Sequence, residues 1–356
     1  MNKGIGYIPS LNGVRALAVL LVFFSHTGFS DIVPGGLGVT IFFFLSGYLI
    51  TTLLVDEQKK TGSISLKNFY TRRIYRLFPP LYTVIIATLL ITIIKGNISY
   101  INIGGFLSQI LHYSNYYIIF VGKEGMLPGL GILWSLAVEE HFYLFFPLFL
   151  LFFMKKISTK NLAFLIILII LAVNVWRLIL VLNFDILSLR DQHYYYTYYA
   201  TDTRFDSLLY GCVMALILNP IHMIKVASNN SLLIKVGMLS GTVLILFTLL
   251  YRDEIFRETI RYTIQGIAMF PIFYYLITQN KSLLYKLFNS QVMSFIGKIS
   301  YSFYLSHYVL IYLAQSLFGD TLIVKNIIGL LFTLLFSTFM YYFVEKRFAL
   351  LRKKLH

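Results

Sequence analysis

The composition and charge of this chain exclude most soluble classes of protein, because its 356 residues are 58% hydrophobic and only 13% charged, against about a quarter charged in an ordinary soluble domain. A formal net charge of +15 would suggest nucleic acid in a soluble protein, but Lys and Arg also accumulate in the cytoplasmic loops of membrane proteins. With one cysteine, Cys212, and no disulfide framework, we expect an integral membrane protein without a nucleic-acid partner or a bound metal.

Apolar segments recur along the whole chain and predict about ten membrane-spanning helices, since roughly 17–25 apolar residues cross a bilayer as a helix. With both termini cytoplasmic, the inner segments hold 21 of the 30 Lys and Arg residues, as the positive-inside rule requires. We therefore predict an all-α, polytopic transmembrane helix bundle that forms a single integral-membrane domain over 1–356. The spans are predicted near residues 11–29, 36–55, 78–95, 134–154, 161–182, 204–219, 233–251, 260–278, 293–315 and 323–345.

The stretch 100–121 is ambiguous, because several glycines and polar residues interrupt its apolar pattern. It could be a re-entrant or interfacial helix. Counting it as an eleventh span would place Lys155, Lys156 and Lys160 outside and weaken the charge bias, so the count of ten is favoured.

The first predicted span carries two ionisable side chains, Arg15 and His26, and such residues are expensive inside a membrane. Eleven residues make about three helical turns, which return a side chain to nearly the same face about 16 Å further on. Arg15 is thus predicted in the cytoplasmic half and His26 near the outer surface. An imidazole titrates near neutrality and suits a general base that deprotonates a hydroxyl. A purely structural pair is the alternative.

Before the third span lies a basic run in which Arg73 and Arg76 are three residues apart and share one face of a helix. Paired guanidinium groups suit a ligand that is rich in phosphate. The alternative is an anchor to anionic lipid at the cytoplasmic surface. Pro79 and Pro80 follow directly and are expected at the start of the helix, where a missing amide hydrogen costs little.

The fourth span opens with Trp134, Ser135 and the acidic Glu139. In the predicted topology Glu139 and His26 lie at similar depth, and a carboxylate could orient an imidazole as in acyl-transfer triads. Glu140 and His141 could serve instead, and interface solvation of the adjacent glutamates is a further alternative.

Further polar residues are predicted in the same outer leaflet. Asp202, Arg204 and Asp206 open the sixth span, and His307 lies in the outer half of the ninth. Together with Trp134 and Ser135, they could line an acceptor side of the site. The alternatives are a structural ion-pair network for the first three residues and a structural role for His307.

Motifs spread along the chain resemble those of the acyltransferase-3 family, the polytopic O-acyltransferases that modify bacterial surface polysaccharides. Each motif is weak alone, but their order and spacing together are specific. They are Arg15 with His26, Phe43-Phe44-Leu45-Ser46-Gly47-Tyr48, Arg73-Ile74-Tyr75-Arg76, Trp134-Ser135-Leu136-Ala137-Val138-Glu139, Thr203-Arg204-Phe205-Asp206, Ser300-Tyr301-Ser302-Phe303-Tyr304-Leu305-Ser306-His307 and Glu345-Lys346-Arg347-Phe348.

This resemblance implies a function, a donor and a set of site residues. His26 and Glu139 would be catalytic, and Arg15, Arg73 and Arg76 would serve the donor or its path. The donor would be cytoplasmic acetyl-CoA, with no other cofactor bound, and the acceptor a hydroxyl of a surface glycan. Lipopolysaccharide O-antigen is the favoured acceptor, and capsule or exopolysaccharide are alternatives. The expected location is the bacterial inner membrane. Some members carry a fused esterase-like domain, which we do not expect here, so either a separate partner protein completes the transfer or none is needed.

Two other functions compete with acyl transfer. A membrane exporter of a saccharide or small solute would carry charges near the midplane, for which Arg15 is the only strong candidate. A membrane glycosyltransferase would be expected to have acidic residues in the first outer loop, where Asp31 is the only acid. Both are disfavoured.

Overall fold

The computed structural model describes residues 9–183, 196–223, 231–279 and 282–354. Within these ranges the regular secondary structure is helical and contains no β-strand, only one isolated bridge between Ile101 and Gly125. The predicted all-α fold is therefore confirmed.

The helices follow one another with short connections. In the first half of the chain they are α1 (Pro9–Ser25), α2 (Gly35–Thr61), α3 (Leu66–Ile94), α4 (Ile103–Ile110), α5 (Ser114–Phe120), α6 (Trp134–Phe153) and α7 (Thr159–Asn183). In the second half they are α8 (Tyr196–Tyr199), α9 (Thr201–Ile217), α10 (Pro220–Met223), α11 (Ser231–Leu250), α12 (Glu254–Glu258), α13 (Arg261–Thr278), α14 (Leu283–Phe288), α15 (Gln291–Phe318), α16 (Gly329–Met340) and α17 (Lys346–Lys354). Two π-helical turns, Val324–Ile328 and Tyr341–Glu345, flank α16.

Each predicted span coincides in position with a helix. In the part of the chain that the structure describes, seven helical stretches are long and apolar enough to cross a bilayer, and α1 adds a shorter apolar helix. The bundle is therefore that of a multi-pass membrane protein, while the count of ten and the side on which the termini lie stay predictions. The ambiguous stretch forms α4 and α5, of eight and seven residues, which are too short to cross a bilayer.

The third helix begins earlier than expected, and the prediction that Pro79 and Pro80 mark its start was wrong. α3 begins at Leu66, where the Ser65 side chain accepts a hydrogen bond from the amide of Asn68, and both prolines lie inside it. A membrane helix tolerates internal proline when neighbouring side chains satisfy its backbone. The prolines remove the helical amide donors of the Tyr75 and Arg76 carbonyls, four residues earlier, and directly after these carbonyls the hydroxyl of Tyr301 donates to that of Leu77 at 2.8 Å.

The chain divides into two compact units, each assembled from separate segments. Unit 1 comprises residues 1–16, 39–64 and 141–297. Unit 2 comprises residues 17–38, 65–140 and 298–356. Several helices, α6 and α15 among them, contribute residues to both units, and the single domain over 1–356 stays a prediction.

Unit 1 contains a close crossing of α2 and α9 at two glycines. A Cβ atom built on Gly47 would lie 1.9 Å from the carbonyl oxygen of Leu208, and one built on Gly211 would lie 2.0 Å from that of Phe44. Small residues allow membrane helices to approach in this way. The same unit pairs α7 with α9 and α11 with α13.

Unit 2 is organised around α15. Besides the Tyr301 contact with α3, the hydroxyl of Ser302 donates to Glu345 in the second π-helical turn. The loop before α6 also packs tightly on α15, since a Cβ on Gly129 would lie 2.9 Å from the amide nitrogen of Val309. These contacts surround the segment of α15 that carries His307.

Candidate functional site

Two histidines of unit 2 form a hydrogen-bonded pair. Nδ1 of His26 lies 2.9 Å from Nε2 of His307. His307 is fully buried, and its Nδ1 lies 2.7 Å from the backbone carbonyl oxygen of Tyr304. His26 is only half-buried. The pair therefore joins one enclosed imidazole to one that retains access to the surroundings.

His26 lies one residue beyond α1, whereas the predicted first span continued to residue 29. The chain turns there because the amides of His26 and Thr27 bond back to the carbonyls of Phe23 and Phe24, and Gly28 adopts a φ of +98°. The Thr27 hydroxyl lies 2.7 Å from Asn326. This turn holds His26 at the end of the helix, where the ring of Tyr308 packs 4.7 Å from the imidazole.

The start of α6 contacts α15 one turn before His307. Ser135 and Tyr304 share a hydrogen bond of 2.6 Å between their hydroxyls, and both Ser135 and Trp134 are buried. Glu139 is four residues beyond Ser135, so the two residues share a face of α6. This places the predicted catalytic carboxylate on the side of α6 that meets α15. The hydrogen-bond partner that the structure gives His26, however, is His307.

Several charged groups surround this region. Arg73 of α3 acts electrostatically on Glu140, which follows Glu139 in α6. Lys123 acts on His26, and its alkyl chain packs 3.4 Å from the position that a Cβ on Gly131 would take. Burial lowers the pKa of the Lys123 amine. The half-buried His26 is thus within the electrostatic influence of a cation whose own charge is disfavoured by burial.

A basic cluster lies at the end of unit 2 where α3 contacts α17. Arg72 and Arg76 of α3 act electrostatically on Arg352 of α17. Arg76 also acts on Glu345, whose carboxylate accepts the 2.5 Å hydrogen bond from Ser302. Like charges repel, so a cluster of this kind is suited to an anionic ligand, such as a phosphate, that bridges its guanidinium groups.

Unit 1 contains a separate buried network. Arg177 of α7 and Asp206 of α9 form a 2.6 Å ion pair, with both side chains fully buried. Arg177 also donates to the carbonyl of Thr203 at 2.8 Å and to the side chain of Asn174 at 2.9 Å. Buried charges need such partners, so the Asp206 contacts support the structural alternative for this residue.

The two other predicted residues of this segment also have structural partners. The guanidinium of Arg204 is fully buried, 4.0 Å from the ring centre of Tyr262, and donates to the hydroxyl of Thr40 at 3.1 Å. Asp202 accepts a 2.7 Å hydrogen bond from the indole of Trp176. These contacts indicate helix packing, and an acceptor role for Asp202 and Arg204 stays a prediction.

Arg15 and His141 belong to unit 1. Arg15 donates to the side chain of Asn12 at 3.3 Å, within the same helix. Nδ1 of His141 lies 2.7 Å from the hydroxyl of Thr201. Neither contact tests the roles that the sequence predicts for these two residues.

Sequence reasoning missed several residues of these clusters. Arg177 is a charge inside the predicted span 161–182, and that alone should have marked it as a candidate. Tyr308 and Lys123 offered no such signal, because only the folded structure shows that Tyr308 packs on His26 and that Lys123 acts on it electrostatically. The pairing of His307 with His26 could not be predicted from the sequence either, since the two residues are far apart in the chain.

The comparisons with known proteins agree with the motifs. Residues 8–342 match the family described as an acyltransferase domain. The peptidoglycan O-acetyltransferase OatA of Listeria monocytogenes is 34% identical over 86% of this chain and 49% of its own length. The O-acetyltransferase OatA of Staphylococcus aureus is 32% identical over 98% of this chain and 59% of its own length. The chain thus spans about half to three-fifths of these relatives.

No solved structure gives a significant match to the chain. The family assignment therefore rests on the sequence. The match extends over nearly the whole chain, and it includes every motif from Arg15 to His307. This protein belongs to the acyltransferase-3 family.

Proposed function

We propose that the protein is a membrane O-acetyltransferase that moves an acetyl group from cytoplasmic acetyl-CoA to a hydroxyl of a bacterial cell-surface glycan. The observation that carries the proposal is the half-buried His26, held by the buried His307 within a chain of this family. We place the protein in the cytoplasmic membrane, which is where a cytoplasmic donor and a surface acceptor can both be reached.

Peptidoglycan is the leading acceptor in this proposal. The Listeria relative is named for peptidoglycan, whereas neither of the two OatA relatives is named for lipopolysaccharide O-antigen, the acceptor that the sequence alone favoured. The two acceptors share the required chemistry, a sugar hydroxyl that becomes an ester. A decisive experiment therefore has to examine both polymers.

The donor is assigned to the basic cluster of Arg72, Arg76 and Arg352, together with Arg73. Guanidinium groups bind phosphate through paired hydrogen bonds, and CoA carries several phosphates. Ser302, which bonds the Glu345 carboxylate near Arg76, lies five residues before His307 on α15, or about 7.5 Å along the helix. A flexible thioester arm could extend over that distance from the cluster toward the histidine pair.

The histidine pair supplies the acid–base chemistry of the transfer. His26 would take the proton of the acceptor hydroxyl as the oxygen attacks the thioester carbonyl. The carbon–sulfur bond breaks, the proton passes to the CoA thiolate, and an acetyl ester and free CoA result. An acyl-histidine intermediate would use the same imidazole. The predicted carboxylate of Glu139, which would stabilise the charge on the imidazole, and Arg15 as a path residue fit either route.

The test is mass spectrometry of the glycans of matched cells that carry the wild-type protein, His26→Ala or a deletion. Muropeptides and other surface polysaccharides are analysed separately. We expect a mass increase of one acetyl group on muropeptides, removable by mild base, in the wild type alone. The same increase on another polymer would replace peptidoglycan as the acceptor. Identical glycans in all three strains, with the protein present in the membrane, would reject the proposal and favour a small-molecule acceptor or export.

A further inference from the structure

The two imidazole rings of the pair meet edge to edge. Their planes are within 7° of parallel and their centroids are 5.1 Å apart. With the facing nitrogens at 2.9 Å, this separation is that of two nearly coplanar rings joined by an N–H···N hydrogen bond, and it is too large for rings stacked face to face. One ring must donate and the other must accept.

The direction of this bond follows from the second contact of His307. A carbonyl oxygen only accepts, so the Nδ1 that faces the Tyr304 carbonyl at 2.7 Å must carry a proton. A fully enclosed imidazolium would be costly, and His307 is completely buried, so the ring is neutral and its Nε2 is bare. That nitrogen accepts a hydrogen bond from Nδ1–H of His26.

The same count of ring protons assigns the protonation state of the other nitrogen of His26. A neutral imidazole carries one proton on its two nitrogens. With that proton on Nδ1, the lone pair is on Nε2, the nitrogen that does not face His307. The hydrogen bond made by one ring nitrogen commonly selects the tautomer in this way.

We propose that His307 is a positioning residue for the transfer, which fixes His26 in the Nδ1–H tautomer and holds its bare Nε2 ready to take the acceptor proton. This inference rests on the proposed function, in which His26 is the base. In it, the backbone carbonyl of Tyr304 and the ring of His307 together do what a carboxylate does in an acyl-transfer triad. This relay, which runs from the Tyr304 carbonyl through His307 to His26, is built from neutral groups, which suits its burial.

The relay also accounts for the charge that develops during the reaction. When Nε2 of His26 takes the proton, the ring becomes an imidazolium whose Nδ1–H···Nε2 bond to His307 gains charge assistance. The nearby Lys123 opposes this positive charge, so the imidazolium is a transient that returns its proton to the leaving thiolate. Two acidic residues of α6 belong to the same unit. Glu139 shares with Ser135 the face of α6 that meets α15, and Glu140 follows it in the chain.

Two variants of His307 separate positioning from packing. His307→Phe keeps a planar aromatic ring, somewhat larger than imidazole, but offers no acceptor to His26. His307→Gln keeps an acceptor, because its side-chain oxygen can replace Nε2 of the imidazole. Since His307 is buried behind His26, neither variant is expected to change the KM for donor or acceptor.

The activity test measures acetyl transfer from radiolabelled acetyl-CoA to peptidoglycan fragments in membranes with matched amounts of protein. We expect His307→Phe to lower kcat by between about 10-fold and 10⁴-fold, the larger figure being the loss caused by a wrong tautomer in the Ser-His-Asp triad. His307→Gln should recover a substantial part of that loss. Unchanged kcat in His307→Phe, or equal losses in both variants with equal folded yields, would overturn the proposal.

The tautomer is read directly by nuclear magnetic resonance of protein labelled with ¹⁵N histidine. The chain has seven histidines, and the spectrum of His26→Asn identifies the signals of His26 by their loss. We expect a protonated Nδ1 and a bare Nε2 in the wild type, and a change of tautomer population in His307→Phe. A protonated Nε2 on His26 in the wild type would overturn the proposal even if the activity data agreed. Failure of the proposed function is distinguishable, because wild-type membranes would then transfer no acetyl group whatever the tautomer.

Discussion

Two buried polar clusters can be compared within this protein, the Arg177–Asp206 pair of unit 1 and the His26–His307 pair of unit 2. Both place hydrogen-bonding groups among apolar helices, where they are costly unless partnered. In the first cluster both members are fully buried and joined at 2.6 Å. In the second, His307 is buried but His26 is only half-buried.

The difference indicates how a structural role of a polar group inside a membrane protein can be distinguished from a functional one. A closed cluster directs its hydrogen bonds to its own helices, as Arg177 does with Thr203 and Asn174, and so contributes to packing. An open cluster leaves one member accessible, and its buried part serves to orient that member. On this basis we assign the proposed chemistry to His26 and a stabilising role to Arg177.

The largest expected effect is on the rate of acetyl transfer in His26→Asn. Asparagine keeps an N–H donor for His307 but has no lone pair that can act as a base. We expect the rate to fall by about 10²–10⁴-fold, the usual contribution of general acid–base catalysis, while the free energy of unfolding hardly changes. The rate is measured in membranes with radiolabelled acetyl-CoA.

The control for this variant is a titration of unfolding by sodium dodecyl sulfate in detergent micelles. A rate within a few-fold of the wild type would remove His26 from the mechanism. If the free energy of unfolding also fell strongly, the His26–His307 cluster would contribute to stability as the Arg177–Asp206 cluster does. The distinction between an open and a closed cluster would then fail.

The next largest effect is on stability, in Arg177→Met. The substitution leaves Asp206 as an unpaired buried charge, and breaking a buried pair costs about 3–5 kcal/mol. The double variant Arg177→Met with Asp206→Leu should regain most of this loss, because apolar replacement of both partners is often close to neutral. The free energy of unfolding is again measured by titration with sodium dodecyl sulfate. If the double variant is no more stable than the single one, the pair has a role beyond packing.

The fold was largely predictable from the sequence, because a bilayer demands long apolar helices and their hydropathy is visible without any tertiary information. The start of α3 was not, since proline is common at the first turn of a helix, whereas this helix begins at Leu66 behind the Ser65 cap. The local rule failed there because a membrane helix also tolerates proline in its interior.

The sequence identified residues of the candidate site but not their pairings, and the catalytic roles stay predictions. His26, Glu139 and His307 were all identified as candidates, each because an ionisable group is expensive in a span. That His307 rather than a carboxylate bonds Nδ1 of His26 depends on how the turn after α1 meets α15. Periodicity within one helix contains no information about which neighbour a side chain meets.

A smaller effect is expected at the crossing of α2 and α9, which tests whether packing in unit 1 depends on shape as well as charge. Gly47→Ala would place a methyl group 1.9 Å from the Leu208 carbonyl oxygen, and overpacking of this kind costs about 1–3 kcal/mol. Gly237→Ala is the matched control, because its Cβ would lie 3.4 Å from Pro271, an ordinary contact. Equal unfolding free energies for the two variants would contradict the close crossing.

The smallest effect is expected at an exposed ion pair, which has the same chemistry as Arg177–Asp206 without its burial. Lys325 lies 2.5 Å from Asp320, whose side chain is 66% exposed, and hydrogen bonds from Lys325 and then Gln315 lower the pKa of this carboxyl. A lowered folded pKa stabilises the protein above the unfolded pKa, and this contribution is lost as the pH falls through the folded value. Water already solvates the Asp320 carboxylate, so this contribution is small. Asp320→Asn should therefore lower the stability at neutral pH only slightly and leave the transfer rate unchanged. A loss in Asp320→Asn as large as that in Arg177→Met would mean that burial is not what separates the two pairs.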